Sequence, residues 1–141
     1  MRLGSTPRAE LPGTDMAMPL VRVRDLGIAY ADAVGRLTRV VDGVGFDIEP
    51  GDALGIVGES GSGKSTLARA LLGYLRSGSR FVEGRVEVNG QELTSAGRSG
   101  LAGVRGRVVS MVPQNPLASL TYHIPVGRQV IEVLRSRGGL D

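Results

Sequence analysis

The stretch Gly58-Glu59-Ser60-Gly61-Ser62-Gly63-Lys64-Ser65 decides the fold, because it spells glycine, four free positions, glycine, lysine and a hydroxyl residue, the P-loop pattern. Just before it, Ala53-Leu54-Gly55-Ile56-Val57 is a short apolar run that suits a strand buried on both faces of a parallel sheet. Just after it, Leu67, Ala70, Leu71 and Tyr74 recur on one side of a helix, with Gly73 inside and Gly78 as its stop. The motif therefore sits between a strand and a helix, the context that gives it a phosphate-binding meaning. Its glycines let successive main-chain N–H groups face one anion, and the start of the helix adds its positive dipole end. Lys64 is expected between the β and γ phosphates of a triphosphate. The Ser65 hydroxyl is expected to ligate the Mg²⁺ that bridges them, with Thr66 supporting the α phosphate or packing at the helix start. A glycine-rich turn that spells the pattern by accident explains neither flank. Nor does it explain why the chain's lone lysine, among 17 basic residues, stands at this position.

Working outward, Val21 and Val23 alternate with Arg22 and Arg24, and Ile28 and Tyr30 follow, the period of a half-buried strand. Residues 31–37 read as a hairpin excursion around Gly35. Short strands are then expected over 38–41 and 44–48, closed by Pro50-Gly51. Beyond the loop, residues 85–93 alternate around Asn89-Gly90, a strong hairpin signal. A short helix is expected over 98–105, an apolar strand over 108–112 ended by Pro113, and a helix over 126–137 carrying Val130, Ile131 and Leu134. Arg98, Arg105 and Arg107 read as a solvated face. Residues 1–19 carry three prolines and no hydrophobic period and read as a flexible leader, with Met16 or Met18 as alternative starts.

Composition removes competing classes. At 141 residues, with 41% hydrophobic and 22% charged content, the chain suits one globular domain. A formal net charge of +3 is too small and too scattered to argue for nucleic acid. Without cysteine there is no disulfide framework or thiolate metal site, and a lone His123, read as a surface loop residue, excludes a histidine cluster. No apolar run approaches the roughly 20 residues that span a bilayer, and neither end carries a lipidation pattern, so no direct membrane insertion is expected.

A P-loop alone leaves kinases, GTPases, helicases and transport ATPases open. The neighbours choose among them: Val41-Asp42-Gly43-Val44-Gly45-Phe46-Asp47-Ile48-Glu49-Pro50-Gly51, then Leu54-Gly55-Ile56-Val57 running into the loop and Thr66. Downstream stand Met111-Val112-Pro113-Gln114-Asn115-Pro116, Ser119-Leu120 and Val126-Gly127-Arg128-Gln129-Val130. In content, order and separation these blocks resemble the ATP-binding subunit of ABC transporters, within them the dipeptide/oligopeptide/nickel importer branch. The resemblance runs from about Leu20 to the end of the chain and corresponds to the N-terminal part of that domain. It implies an α/β fold, with a P-loop NTPase core containing a partly parallel sheet, beside an antiparallel β subdomain built from segments around 21–48 and 82–93. It further implies that Tyr30 matches the A-loop aromatic, a flat face for the adenine ring, and that Gln114 matches the Q-loop glutamine, whose amide oxygen ligates Mg²⁺. With Tyr30 and Gln114, the implied nucleotide contacts are Gly58, Glu59, Ser60, Gly61, Ser62, Gly63, Lys64, Ser65 and Thr66; the implied cofactors are ATP and Mg²⁺. The implied partners are the transporter's membrane subunits and a second ATP-binding subunit, with the chain peripheral on the cytoplasmic face of the cell membrane. Asn115, where the branch is commonly acidic, and Thr121-Tyr122-His123 depart from its pattern and weaken the assignment of solute rather than of nucleotide.

No Leu-Ser-Gly-Gly-Gln signature follows Gln114, and no apolar strand ends in the Asp-Glu pair that would polarise an attacking water. The expectation is a chain truncated before the signature and Walker B segments, able to stabilise phosphate charge but unable to turn MgATP over. A non-catalytic nucleotide-binding stub docked on a membrane partner is the second reading. A P-loop kinase acting on a small metabolite is the third, and it gives no reason for Tyr30 or the Gln114 loop.

Overall fold

The computed structural model describes residues 2–4, 18–96 and 98–136. Numbered along the chain, its strands are β1 (Arg2–Gly4), β2 (Val21–Ala31), β3 (Leu37–Ile48), β4 (Gly55–Val57), β5 (Ser79–Val88) and β6 (Gln91–Glu92). Its helices are α1 (Lys64–Ala70), α2 (Arg98–Val104) and α3 (Val126–Ser136), with a 3₁₀ turn at Leu117–Ser119.

The alternation of Val21 and Val23 with two arginines produces the middle strand of an antiparallel sheet of order β3-β2-β5-β6. The segments read as two strands over 38–41 and 44–48 form one continuous β3, because pairing with β2 continues past Asp42-Gly43 through shifts of register. Asp25 and Gly84 both take positive φ where β2 and β5 slip past each other, so the inward phase shifts by one: Leu26 follows Val23 into the core after three positions, and Ile28 follows after two. Asn89-Gly90, at φ +49° and +76°, closes the β5–β6 hairpin as a two-residue turn with both centres left-handed.

The core lies between this sheet and α1. Val23, Leu26, Ile28, Val41, Val86 and Val88 cluster with Leu67 and Ala70 of α1, and Leu93 and Val104 belong to the same buried cluster. Burying Leu67 completely contributes on the order of 2 kcal/mol, and it fixes where the first turn of α1 points.

Four expectations are corrected. α1 ends at Ala70, well before Gly78, because Gly73 takes φ +61° and turns the chain out of the helix; Tyr74 thereby leaves the apolar face and is 49% exposed. β4 pairs antiparallel with β1 rather than within a parallel sheet, and Val57 is exposed where burial on both faces was expected. Among the described residues no two strands pair in parallel: a parallel pair needs a second strand brought back by a crossover, and residues 108–112, the segment expected to be one, form no strand, with Val112 90% exposed. Arg2–Gly4, inside the segment read as a flexible leader, is a strand because the open edge of β4 offers it backbone partners; residues 5–17 lie outside the described residues, as does Arg137.

Arg105 is exposed, as expected of a solvated face, and still makes directed contacts. Its guanidinium donates to the carbonyl oxygens of Leu72 and Gly73 at 2.8 and 2.7 Å and lies over the Tyr74 ring, so it satisfies carbonyls left open by the end of α1.

Candidate nucleotide-binding site

Glycine geometry shapes the loop between β4 and α1. Gly61 and Gly63 adopt φ +81° and +88°, and a Cβ on Gly63 would stand 2.5 Å from the carbonyl oxygen of Val40, so only glycine lets the loop lie against β3. The curl frees donors. Ser62 N–H bonds Glu59, but among the described residues no acceptor meets the amides of Gly61, Gly63, Lys64, Ser65 or Thr66. Gly63, the N-cap, has no side chain to satisfy them. Unpartnered amides crowded into one short turn form a concavity suited to an anion.

Lys64 completes this cradle from within. Its ammonium donates to the carbonyls of Gly58 at 2.7 Å and Glu59 at 2.5 Å, with Ser62 Oγ 3.4 Å away. The charge is thus tethered at the loop while its flexible stem leaves it free to turn to a phosphate.

The loop opens on a cleft of about 510 Å³. Ser60, Gly61, Gly63, Lys64, Ser65 and Thr66 line it from the loop, and Tyr30 and Gln114 join them although both are distant from the loop in sequence. Tyr30 arrives at the end of β2, half-buried, with its hydroxyl 3.4 Å from Thr66 Oγ1. Gln114 arrives on an exposed bend between Pro113 and Pro116. Gly58, Glu59 and Ser62 do not line this cleft: the first two hold Lys64 through their carbonyls, and Ser62 faces a second hollow of about 410 Å³ bounded by residues 40–45. Exposed His123 does not line the cleft.

Three lining residues were not anticipated from sequence, Val40, Arg69 and Arg76. Arg69 had a legible signal, since it follows Thr66 by three positions on the same helical face. Arg76 had none, because its place depends on Ser79, which bonds the Arg76 carbonyl and pairs across the sheet with Tyr30. Three cations therefore share the cleft wall, and no carboxylate does.

Among the described residues no group of three histidine or acidic side chains could hold a metal. The Ser65 hydroxyl and the Gln114 amide oxygen are hard, neutral donors on the same cleft. That set fits a Mg²⁺ arriving with substrate phosphates and keeping several waters, rather than one caged by protein alone.

Comparison with known proteins places the chain among transport ATP-binding proteins by sequence. The chain is 40% identical to the oligopeptide transport ATP-binding protein OppD of Salmonella typhimurium over 122 residues, covering 86% of this chain and 36% of that protein. It is 39% identical to the Bacillus subtilis oligopeptide transport ATP-binding protein AppD over 95 residues, 67% of this chain and 29% of that one. A probable peptide ABC transporter ATP-binding protein of Sinorhizobium fredii, y4tR, is 36% identical over 139 residues, 98% of this chain and 39% of its own length. The chain thus spans between about three tenths and two fifths of the length of these curated relatives. The family described as ABC transporter matches residues 41–135, a stretch that holds the glycine loop, Lys64 and Gln114, and so the chain, whose P-loop NTPase fold follows from the same match, belongs to the ABC transporter family.

Proposed function

We propose that this chain binds MgATP as the nucleotide-gripping part of an ATP-binding subunit that energises import of peptide-like solutes, with residues 20–141 forming the N-terminal part of its ATP-binding domain. The observation that carries the reading is the set of unpartnered amides from Gly61 to Thr66 around the Lys64 ammonium. They stabilise charge on the β and γ phosphates without reorganising. Tyr30 offers its ring to the base. Ser65 and Gln114 supply neutral oxygens to Mg²⁺, which when bound screens the phosphate charge. The peptide-like solute is supported by these relatives, which are named as oligopeptide or peptide transport proteins.

Membrane subunits and a second ATP-binding subunit are the proposed partners, at the cytoplasmic face of the membrane. Among the described residues no helix is long and apolar enough to cross a bilayer, so attachment would run through those partners.

A second reading, binding without turnover by this chain alone, is favoured by the cleft wall, which carries no carboxylate to align a water. Equilibrium dialysis with labelled ATP tests the first reading: Mg²⁺-dependent retention by the unmodified chain that is lost on Lys64→Ala is expected, and retention unaffected by that substitution would overturn it. Phosphate release that disappears in Lys64→Ala would overturn the second.

A further inference from the structure

The reading of the cleft as a nucleotide site leaves two of its cations without a task. Arg69 and Arg76 line the same wall as Tyr30, yet among the described residues neither side chain forms an ion pair. Other arginines of the sheet behave differently: Arg24 pairs with Asp47, and Arg39 with Asp42 and Glu83. Complementing the end of α1 accounts for Arg69 at most, since Arg76 stands beyond the helix.

We propose that Arg69 and Arg76 are nucleotide-binding residues whose guanidinium groups grip the phosphate nearest the ribose, the α phosphate, of a nucleoside di- or triphosphate. This rests on the reading of the cleft given above and assigns a further part of it. The placement follows from the two ends of the site. Lys64 is tethered to the loop carbonyls of Gly58 and Glu59, at the end that takes the outer phosphates. Both arginines are tied instead to the Tyr30 end. Arg69 lies one turn along α1 from Thr66, whose hydroxyl approaches that of Tyr30, and Arg76 is bonded through its carbonyl to Ser79, the cross-strand partner of Tyr30. A ligand with its base on the Tyr30 ring and its terminal phosphates in the loop carries its α phosphate between them. A planar guanidinium fork meets two phosphate oxygens at once, which an ammonium does not. Because the α phosphate is common to both nucleotides, the arginines hold diphosphate and triphosphate equally, whereas Lys64 favours the triphosphate.

Calorimetric titration of the full chain with ADP, ATP and adenosine, each with Mg²⁺, tests this on Arg69→Gln, Arg76→Gln and the double variant. Each single substitution is expected to weaken ADP and ATP by about tenfold, alike for the two nucleotides, to flatten the salt dependence of binding and to leave adenosine unchanged. Lys64→Ala, by contrast, is expected to weaken ATP more than ADP. Arg69→Lys and Arg76→Lys, which keep charge but lose the fork, fall between. Circular dichroism verifies folding; should Arg69→Gln fail to fold, Arg76→Gln, outside any helix, carries the test. Unchanged ADP affinity in the folded double variant, or an equal loss for adenosine, overturns the arginine assignment alone. Failure of the unmodified chain to bind ADP or ATP overturns it together with the nucleotide reading.

Discussion

Gly63 shows how a single backbone position supports the site. With φ +88° and the Val40 carbonyl oxygen 2.5 Å from where a Cβ would stand, Gly63→Ala combines left-handed strain with a steric clash against β3. Urea denaturation is expected to show a loss of about 2 kcal/mol or more, with nucleotide binding lost as well because the loop must shift. Tyr30 separates ring from hydroxyl. At 3.4 Å its contact with Thr66 is at the outer limit of a hydrogen bond, so Tyr30→Phe is expected to keep ATP affinity within a few-fold. Tyr30→Leu removes the flat face, with an expected loss of about tenfold or more in a titration with ATP.

At the scale of elements, two contacts hold the frame that positions these residues. Arg105 bridges the Leu72 and Gly73 carbonyls after α1, and Arg105→Ala is expected to cost about 1 kcal/mol in chemical denaturation. Across the β2–β3 pair, Arg24 donates from its two terminal guanidinium nitrogens to the two carboxylate oxygens of Asp47 at 2.7 and 2.6 Å. This hydrogen bond, reinforced by the charges of Arg24 and Arg22, holds the Asp47 carboxyl below its ordinary value. A carboxyl with a depressed native pKa adds stability that is complete above its unfolded value, about 4, and lost as pH falls through the native one. Melting temperatures of the unmodified chain and Asp47→Asn are therefore expected to differ near neutrality and to converge below about pH 4. The effect is small because the pair is exposed to solvent. The arginines also mark the boundary of what sequence reveals. Alternation at Val21 and Val23, the Asn89-Gly90 turn and the glycine loop each carry their geometry in local residue types, and each formed the expected element. The capping role of Arg105 and the cleft position of Arg76 depend on where a distant chain segment comes to rest, and no local pattern encodes that.

For the molecule as a whole, the same distinction explains the sheet. An apolar run becomes a strand only when a neighbour offers an extended backbone, and residues 108–112 meet a single bridge, Val109 to Arg105, whereas β4 found a strand in β1. Gln114 nonetheless reaches the cleft that the loop opens, so the cradle, the ring of Tyr30 and the amide of Gln114 converge from three separate stretches of chain. The central claim is that free amides at the loop, backed by Lys64, receive the outer phosphates of ATP. Amide-resolved NMR on the isotopically labelled chain reads those groups one by one during a titration with MgATP. The account predicts that the Gly61, Gly63, Lys64, Ser65 and Thr66 amides move most, and that Lys64→Ala abolishes the movement. Resonances of these five amides that stay in place at saturating nucleotide, while others shift, would contradict it.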